Sequence, residues 1–421
     1  MSLLSRVARN SVRSVQTVPT ARTLATASPV NSAARSHRTV IIGGGTAGLA
    51  ISHQLLRSGH FVQDDIAIVD PAEWHHYQPG WTLVGSGLKT KQELRRPLKS
   101  LIDPKIKFYN DGVSQFVPEQ NAVKLANGDL TYEHLIVAPG IKVNFESIKG
   151  LPEALANPDA LVSSIYGYDS VDKKIMWLAL DHWKKTGLYK YANSASSDIR
   201  ISFATGLGGM FAVPKYSAKL EELRQERGVE GLFQHDLVAI EGNTAIFARP
   251  DGQEQVKKHF DLLHAVPKMG PHEFVKSSPL ANEAGFVDVN EGTTRHKKFA
   301  NVWSAGDASS LPTSKTGAAI TAEAPVLVRN VIRALEGKEP DAIYDGYASC
   351  PLLTEYGKVL LAEFKYGGVP KETFGFLGID QAVPRREFYY MKKDFFPWVY
   401  YKSLVKGTWG GPKGWINPGK A

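Results

Sequence analysis

"RTVIIGGGTAGLAISHQLLRSG", residues 38–59, decides the fold. Thr39–Ile42 is a short β-branched run and reads as a buried strand. Gly43, Gly45 and Gly48 follow in the spacing Gly-x-Gly-x-x-Gly, and an apolar helical period runs from Leu49 to Leu56. The next predicted strand, "IAIVD", ends in Asp70. Gly43 permits the tight turn, Gly45 lets a pyrophosphate approach the backbone, and Gly48 lets helix and strand pack closely. The helix N-terminus faces the phosphate charge. Asp70 is placed to accept hydrogen bonds from an adenosine ribose. Strand, glycines, helix, second strand and acid in this order predict a dinucleotide-binding α/β fold.

The chain of 421 residues, 43% hydrophobic and 22% charged, has the composition of a globular protein with two or three packed units. No stretch approaches the roughly 18 to 20 uninterrupted apolar residues of a spanning helix. Its single cysteine, Cys350, excludes a disulfide-stapled domain and a cysteine-rich metal or iron–sulfur site. The formal charge of +8 is concentrated at the start. Arg6, Arg9, Arg13, Arg22, Arg35 and Arg38 precede the first carboxylate, Asp64. Residues 1–38, rich in Arg, Ser, Thr and Ala, read as a mitochondrial transit peptide outside the fold. The competing reading is a disordered basic tail for nucleic acid. His75 and His76 are adjacent on an expected loop with no converging acid or thiol, so no metal site is expected, and His53 is read as structural.

The far end carries a second pattern. "RHKKFANVWSAGDASSLPTSKTGAAITAEAPVLVRNVIRAL" (295–335) predicts a strand at Val302–Ser304, a Gly306-Asp307 turn, and a helix from about Gly317. It resembles the second signature of two-dinucleotide-domain flavoproteins. That resemblance implies that Asp307 meets the ribityl–pyrophosphate part of FAD, and that the following helix points its N-terminus at the flavin. "YEHLIVAPG" (132–140) fits the linking strand of the same group. A partial repeat of the glycine pattern lies at 206–211, before a predicted amphipathic helix, Lys215–Arg227. Phe211 stands where the third glycine belongs, and its bulk hinders close packing and the approach of NADH.

Longer strings narrow the resemblance. "HHYQPGWTLVGSGLKT" (75–90), "IKGLPEAL" (148–155), "LPTSKTGAA" (311–319), "YDGYASCPLLTEYGKVLLAEF" (344–364) and "GTWGGP" (407–412) are similar to the sulfide:quinone oxidoreductase family. The resemblance covers nearly everything after residue 38. It implies an FAD enzyme with hydrogen sulfide as donor, ubiquinone as acceptor, and a small thiol, sulfite or cyanide taking the sulfur. Thr46, Ala47, Asp70, Gln78, Val113, Asp307 and Gly317 match its FAD-contacting positions, with Lys315 near the flavin. Cys350 matches the second of two redox cysteines, and an apolar helix is expected after it. The first cysteine has no counterpart. "YDSVDK" runs straight into "KIMWLAL" near Lys173–Lys174, where roughly two to three dozen residues of a doubly wound domain are expected to be missing. Such a loss leaves the strand expected at 198–205 with an open edge and predicts weak activity. The alternatives are a non-catalytic or regulatory flavoprotein paralogue and an NADH:quinone oxidoreductase-like enzyme.

Residues 385–421 hold ten aromatic and eight basic residues but only two acids, a composition suited to a membrane surface. Phe388, Tyr390, Phe395, Phe396 and Trp398 are candidates for the membrane or a quinone tunnel. A helix pair packed on the core, or a dimer contact, is the competing reading. The sequence therefore predicts an α/β protein with two Rossmann-like dinucleotide-binding domains, the second shortened, and a C-terminal membrane-facing extension. The FAD-binding domain is expected at 39–165 and 290–345, the second domain at 166–289, and the redox-cysteine and quinone region at 346–421, peripheral on the inner mitochondrial membrane.

Overall fold

The computed structural model describes residues 35–167, 200–252 and 254–417. Its centre is a mixed seven-stranded sheet. The strand Arg35–Ile42 pairs in parallel with Ile66–Val69 on one side and Gly128–Val137 on the other. Lys107–Tyr109 extends the sheet beyond Ile66–Val69. The long strand Gly128–Val137 has two neighbours on its free edge. Val302–Ser304 runs parallel to its last residues, and Ala122–Leu125 runs antiparallel to its first, with Val113–Val117 beyond.

Burial explains the strand pattern. All four residues of Ile66–Val69 are buried, as expected for a parallel strand covered on both faces. Side chains alternate across the sheet. Ile41, Ile68 and Ile136 face one core, which they share with Leu49, Leu55, Ala324, Leu327 and Trp303. Val40, Ile42, Val69 and Val137 face the other, with Phe116, Val275 and Val302. Each such aliphatic side chain contributes about 1.5–3 kcal/mol of transfer free energy. Two helices, Thr46–Arg57 and Ile320–Leu335, cover the first face, so the two ends of the chain build one layer.

Several elements depart from the sequence reading. The first strand begins at Arg35, so the fold takes in Arg35–Arg38, which were assigned to the leader. Arg35 lies 4.5 Å over the Tyr109 ring and donates to the Asn127 carbonyl, and Arg38 donates to the His60 carbonyl, which ties these residues down. The second helix becomes regular at Ile320 rather than Gly317. Its first turn is tight, because the Ala319 N–H bonds Thr316 and Thr321 N–H bonds Ala318 O, three residues back. The apolar run after Cys350 is a strand, not a helix. Ala348–Glu355 and Lys358–Lys365 form an antiparallel hairpin with Gly357 at φ +80° in the turn. Six consecutive buried residues of Lys358–Lys365 fit either element, and the glycines at both ends favour the strand.

Between residues 200 and 260, Ser202–Thr205 and Glu230–Phe233 pair in parallel around the helix Pro214–Glu226. A three-stranded antiparallel sheet follows, Asp236–Glu241, Thr244–Ala248 and Gln255–His259. Among the described residues Ser202–Thr205 has one partner strand, and Ile201 and Leu207 beside it are 58% and 56% exposed. The expected gap at Lys173–Lys174 lies outside the described residues. Residues 386–404 form a helical rod of alternating α- and π-turns. Tyr390 and Trp398 project from it into solvent, whereas Phe388 is buried against Phe374.

Candidate flavin site

The glycine loop follows from its backbone. Gly43 has φ +103°, and a Cβ there would fall on the Ala138 carbonyl and within 2.8 Å of Pro139 Cα. A Cβ on Gly48 would fall on the Gly43 carbonyl, so helix and strand touch here. Gly45 differs, because a Cβ would meet nothing within 4 Å. That open face lies at the N-terminus of Thr46–Arg57, where Gly45 offers no side chain to cap the free N–H groups of the first turn. These donors and the helix dipole fit a pyrophosphate.

Asp70 follows the second strand as predicted. Its Oδ2 accepts the Gly44 N–H at 2.6 Å and its Oδ1 accepts the Ala72 N–H at 2.7 Å. The carboxylate is thereby fixed against the loop, with acceptor capacity left for ribose hydroxyls. Asn110 donates to the Asp70 carbonyl and so fixes the turn that leads to Val113, which pairs across from Leu125. Gln78 is exposed on the short 3₁₀ turn Gln78–Gly80, and its neighbour Pro79 lies 3.1 Å from where a Gly317 Cβ would be.

The two ends of the chain meet at Gly306. With φ +68°, its Cβ position lies 3.5 Å from the Ala47 Cβ. Asp307 follows, partly buried, and burial pushes its carboxyl up against the lowering effect of the Lys315 charge. Lys315 donates to the Ser309 carbonyl at 2.5 Å and lies 5.3 Å over the Phe286 ring, and burial pulls its ammonium down. Gly43, Gly45, Thr46, Ala47, Gly48, Asp70, Gly306, Asp307, Lys315 and Gly317 thus line one end of the sheet.

Cys350 lies in the hairpin. It packs against the cluster that holds Ala319, at the start of the second helix, together with Phe211, Val213 and Phe364. Burial pushes its thiol up to about 11, opposed by the Lys392 charge. Lys392 is buried, donates to the Pro351 carbonyl at 2.8 Å, and has its ammonium pulled down to about 8 by burial. Tyr166 also faces the thiol.

Three participants were missed. Lys392 reads as one of two surface lysines in "MKKD", and only the fold turns it inward. Glu323 is 2% exposed, accepts the Gly306 N–H at 2.6 Å, and is pushed up to about 7 by burial. Its only hint is an acid on the apolar face of a helix. His75 is not a polar loop residue. It is buried on the strand Trp74–His76, bonded to Gly44 O and to the Tyr400 hydroxyl. His76 is half-buried beside it, 5.3 Å from the Trp81 ring, and His53 is buried on the first helix. The second glycine loop, expected to be closed to NADH, borders a cavity of about 440 Å³ lined by Gly208, Gly209, Met210, Pro214, Ser217 and Phe233. Phe211 packs edge-on against Tyr216 and Phe364, filling the place of a third glycine.

Comparison with known proteins agrees with this geometry. The pyridine nucleotide-disulphide oxidoreductase family matches residues 37–172. The chain is 40% identical to the mitochondrial sulfide:quinone oxidoreductase of Schizosaccharomyces pombe, over 92% of this chain and 94% of that one. It is 36% identical to the Mus musculus protein of the same name, over 90% of this chain and 89% of that one. The solved sulfide:quinone oxidoreductase of Aquifex aeolicus shares the fold with a TM-score of 0.67 at 18% identity, covering 88% of this chain and 92% of that one. With its glycine loop, its Asp307 turn and relatives matched from end to end, this chain belongs to the mitochondrial sulfide:quinone oxidoreductase family of FAD-dependent oxidoreductases.

Proposed function

We propose that the chain oxidises hydrogen sulfide at an FAD held between its two ends and passes the electrons to ubiquinone at the inner mitochondrial membrane, slowly, because one redox cysteine is missing. One observation carries the reading. The sole thiol, Cys350, packs with Ala319 at the opening of the helix that follows Asp307, while a Cβ on Gly306 would meet Ala47 of the glycine loop. Bound FAD supplies a two-electron acceptor. The first-turn N–H groups at Thr46, Ala47 and Gly48 hold the pyrophosphate, with Gly43 and Gly45 shaping its approach. Asp70 takes the ribose, Asp307 the ribityl side, and Gln78, Val113 and Gly317 complete the cradle. Lys315 stabilises negative charge near the ring. Joining sulfide sulfur to the Cys350 thiol as a persulfide would release two protons and two electrons, the electrons to be taken up by bound FAD, and Lys392 would balance the thiolate charge at Cys350. A small thiol, sulfite or cyanide then removes the sulfur.

The domain division at 39–165 with 290–345, and 166–289, belongs to this reading, with the second domain shortened. The exposed Ile201 favours it, beside the strand Ser202–Thr205, which has one partner strand among the described residues. Membrane attachment is assigned to the C-terminal rod. Tyr390 and Trp398 are exposed, Phe395 stacks toward Trp398 and Trp409, and Lys393 and Lys402 flank them. No helix among the described residues is long and apolar enough to cross a membrane, and the rod is read as lying on the surface.

The donor distinguishes this reading from an NADH:quinone oxidoreductase. Anaerobic sulfide is expected to bleach the flavin absorbance near 450 nm and NADH to leave it, since Phe211 replaces the third glycine that close approach of a dinucleotide needs. Bleaching by NADH and not by sulfide would overturn the proposal.

A further inference from the structure

The C-terminal rod reaches the glycine loop itself, 354 positions away in sequence. The Tyr400 hydroxyl lies 2.7 Å from Thr46 Oγ1 and 2.7 Å from His75 Nε2, and His75 Nδ1 lies 3.0 Å from Gly44 O. The proton order follows from the chemistry. A carbonyl only accepts, so His75 Nδ1 carries a hydrogen toward Gly44. Burial pulls the imidazole down to about 4, so the ring is neutral at physiological pH and its Nε2 accepts. Tyr400 therefore donates to His75, and its oxygen accepts the Thr46 hydroxyl hydrogen. The result is a ring of hydrogen bonds that leaves the loop at Gly44, passes through His75 and Tyr400, and returns at Thr46.

The ring is held in place by packing. The Tyr400 side chain lies 4.6 Å from the Tyr77 ring and 5.8 Å from the His75 ring, and is 2% exposed. Gly44 and Thr46 flank Gly45, the one glycine of this loop with open space before it. Lengthening the loop by even a few tenths of an ångström there would misalign the first-turn N–H groups that a pyrophosphate needs.

We propose that Tyr400 is a positioning residue for the FAD pyrophosphate, a latch by which the C-terminal rod holds the glycine loop in its binding shape. This rests on the FAD assignment and goes beyond it, since it makes cofactor retention depend on a residue of the proposed membrane segment. The latch acts on the loop through Thr46 and His75 and does not itself reach the cofactor.

The test uses holoprotein. Purified wild type, Tyr400→Phe and Tyr401→Phe are diluted below the cofactor's dissociation constant, and FAD release is followed by the rise in flavin fluorescence. Tyr401 is the control, because it stands on the same rod and its hydroxyl bonds the Leu94 carbonyl and approaches the His75 backbone carbonyl, without joining the side-chain relay through His75, Tyr400 and Thr46. Tyr400→Phe is expected to release FAD about tenfold faster, and Tyr401→Phe at the wild-type rate. Thr46→Val, which removes the hydroxyl that bonds Tyr400, is expected to match Tyr400→Phe. Equal release from wild type and Tyr400→Phe would overturn the latch, as would equal acceleration by Tyr401→Phe, which would mark a general loosening of the rod. A wild-type protein that carries no FAD at all would overturn the cofactor reading, and the latch with it.

Discussion

Gly43→Ala is expected to leave the purified protein without flavin. Two effects add. The native φ of +103° is a conformation that a side chain opposes, which alone costs on the order of 1 kcal/mol or more. The added Cβ would also fall on the Ala138 carbonyl and close to Pro139, all backbone atoms at the end of the central strand Gly128–Val137. No rotamer relieves this clash, so the loop must move away from the strand. Gly43 N–H bonds the Val69 carbonyl and Ala138 N–H bonds Ile42 O, and the shift would strain both. The sheet itself, buried on both faces, survives. The expected result is near-wild-type circular dichroism with less than about a tenth of the flavin absorbance. Full flavin content in this variant would mean that the loop does not hold the cofactor.

Sulfide-dependent quinone reduction at pH 7 is expected to be slow, and to depend on Cys350. A cystine offers sulfide an electrophilic sulfur, but a lone thiol does not. Cys350 contributes only once it has lost its proton, and its thiol is pushed up to about 11 by burial. About one molecule in ten thousand is then thiolate at pH 7. The sign follows directly. The neutral thiol dominates below pH 11, so the rate is expected to rise about tenfold from pH 7 to pH 8 and to level off above, where Lys392, pulled down to about 8, loses the charge that favours the thiolate. Lys392→Met removes the cation that favours the thiolate and is expected to lower the rate further, and Cys350→Ala abolishes it. A fast rate at pH 7, or an unchanged rate in Cys350→Ala, would remove the thiol from the reaction.

Sequence legibility followed the range of the interactions. The glycine loop, Asp70 and the strand Val302–Ser304 were readable because each is specified by residues a few positions apart, through turn sterics and strand burial. The hairpin after Cys350 was not, since a buried apolar run has the same composition as a strand or a helix. His75, Lys392 and Glu323 look like surface residues locally. Their roles arise from partners 31 to 325 positions away for His75, 41 for Lys392 and 17 for Glu323. Phe388, one of the aromatics read as facing the membrane or a quinone tunnel, is buried against Phe374 and does not face the membrane, since an aromatic in a basic context reads the same whether it meets lipid or another ring. The missing third glycine at Phe211 was legible, but the cavity at Gly208–Met210 was not, because the helix Pro214–Glu226 and Phe233 shape it.

The most direct measurement is an experimental structure of the holoprotein, with the distance from Cys350 Sγ to the isoalloxazine ring. The expected result is FAD spanning Gly43–Gly48 and Asp307, with the sulfur in van der Waals contact with the ring, about 3.5–4 Å away. A sulfur separated from the ring by intervening side chains, or a flavin bound elsewhere, would contradict the assignment.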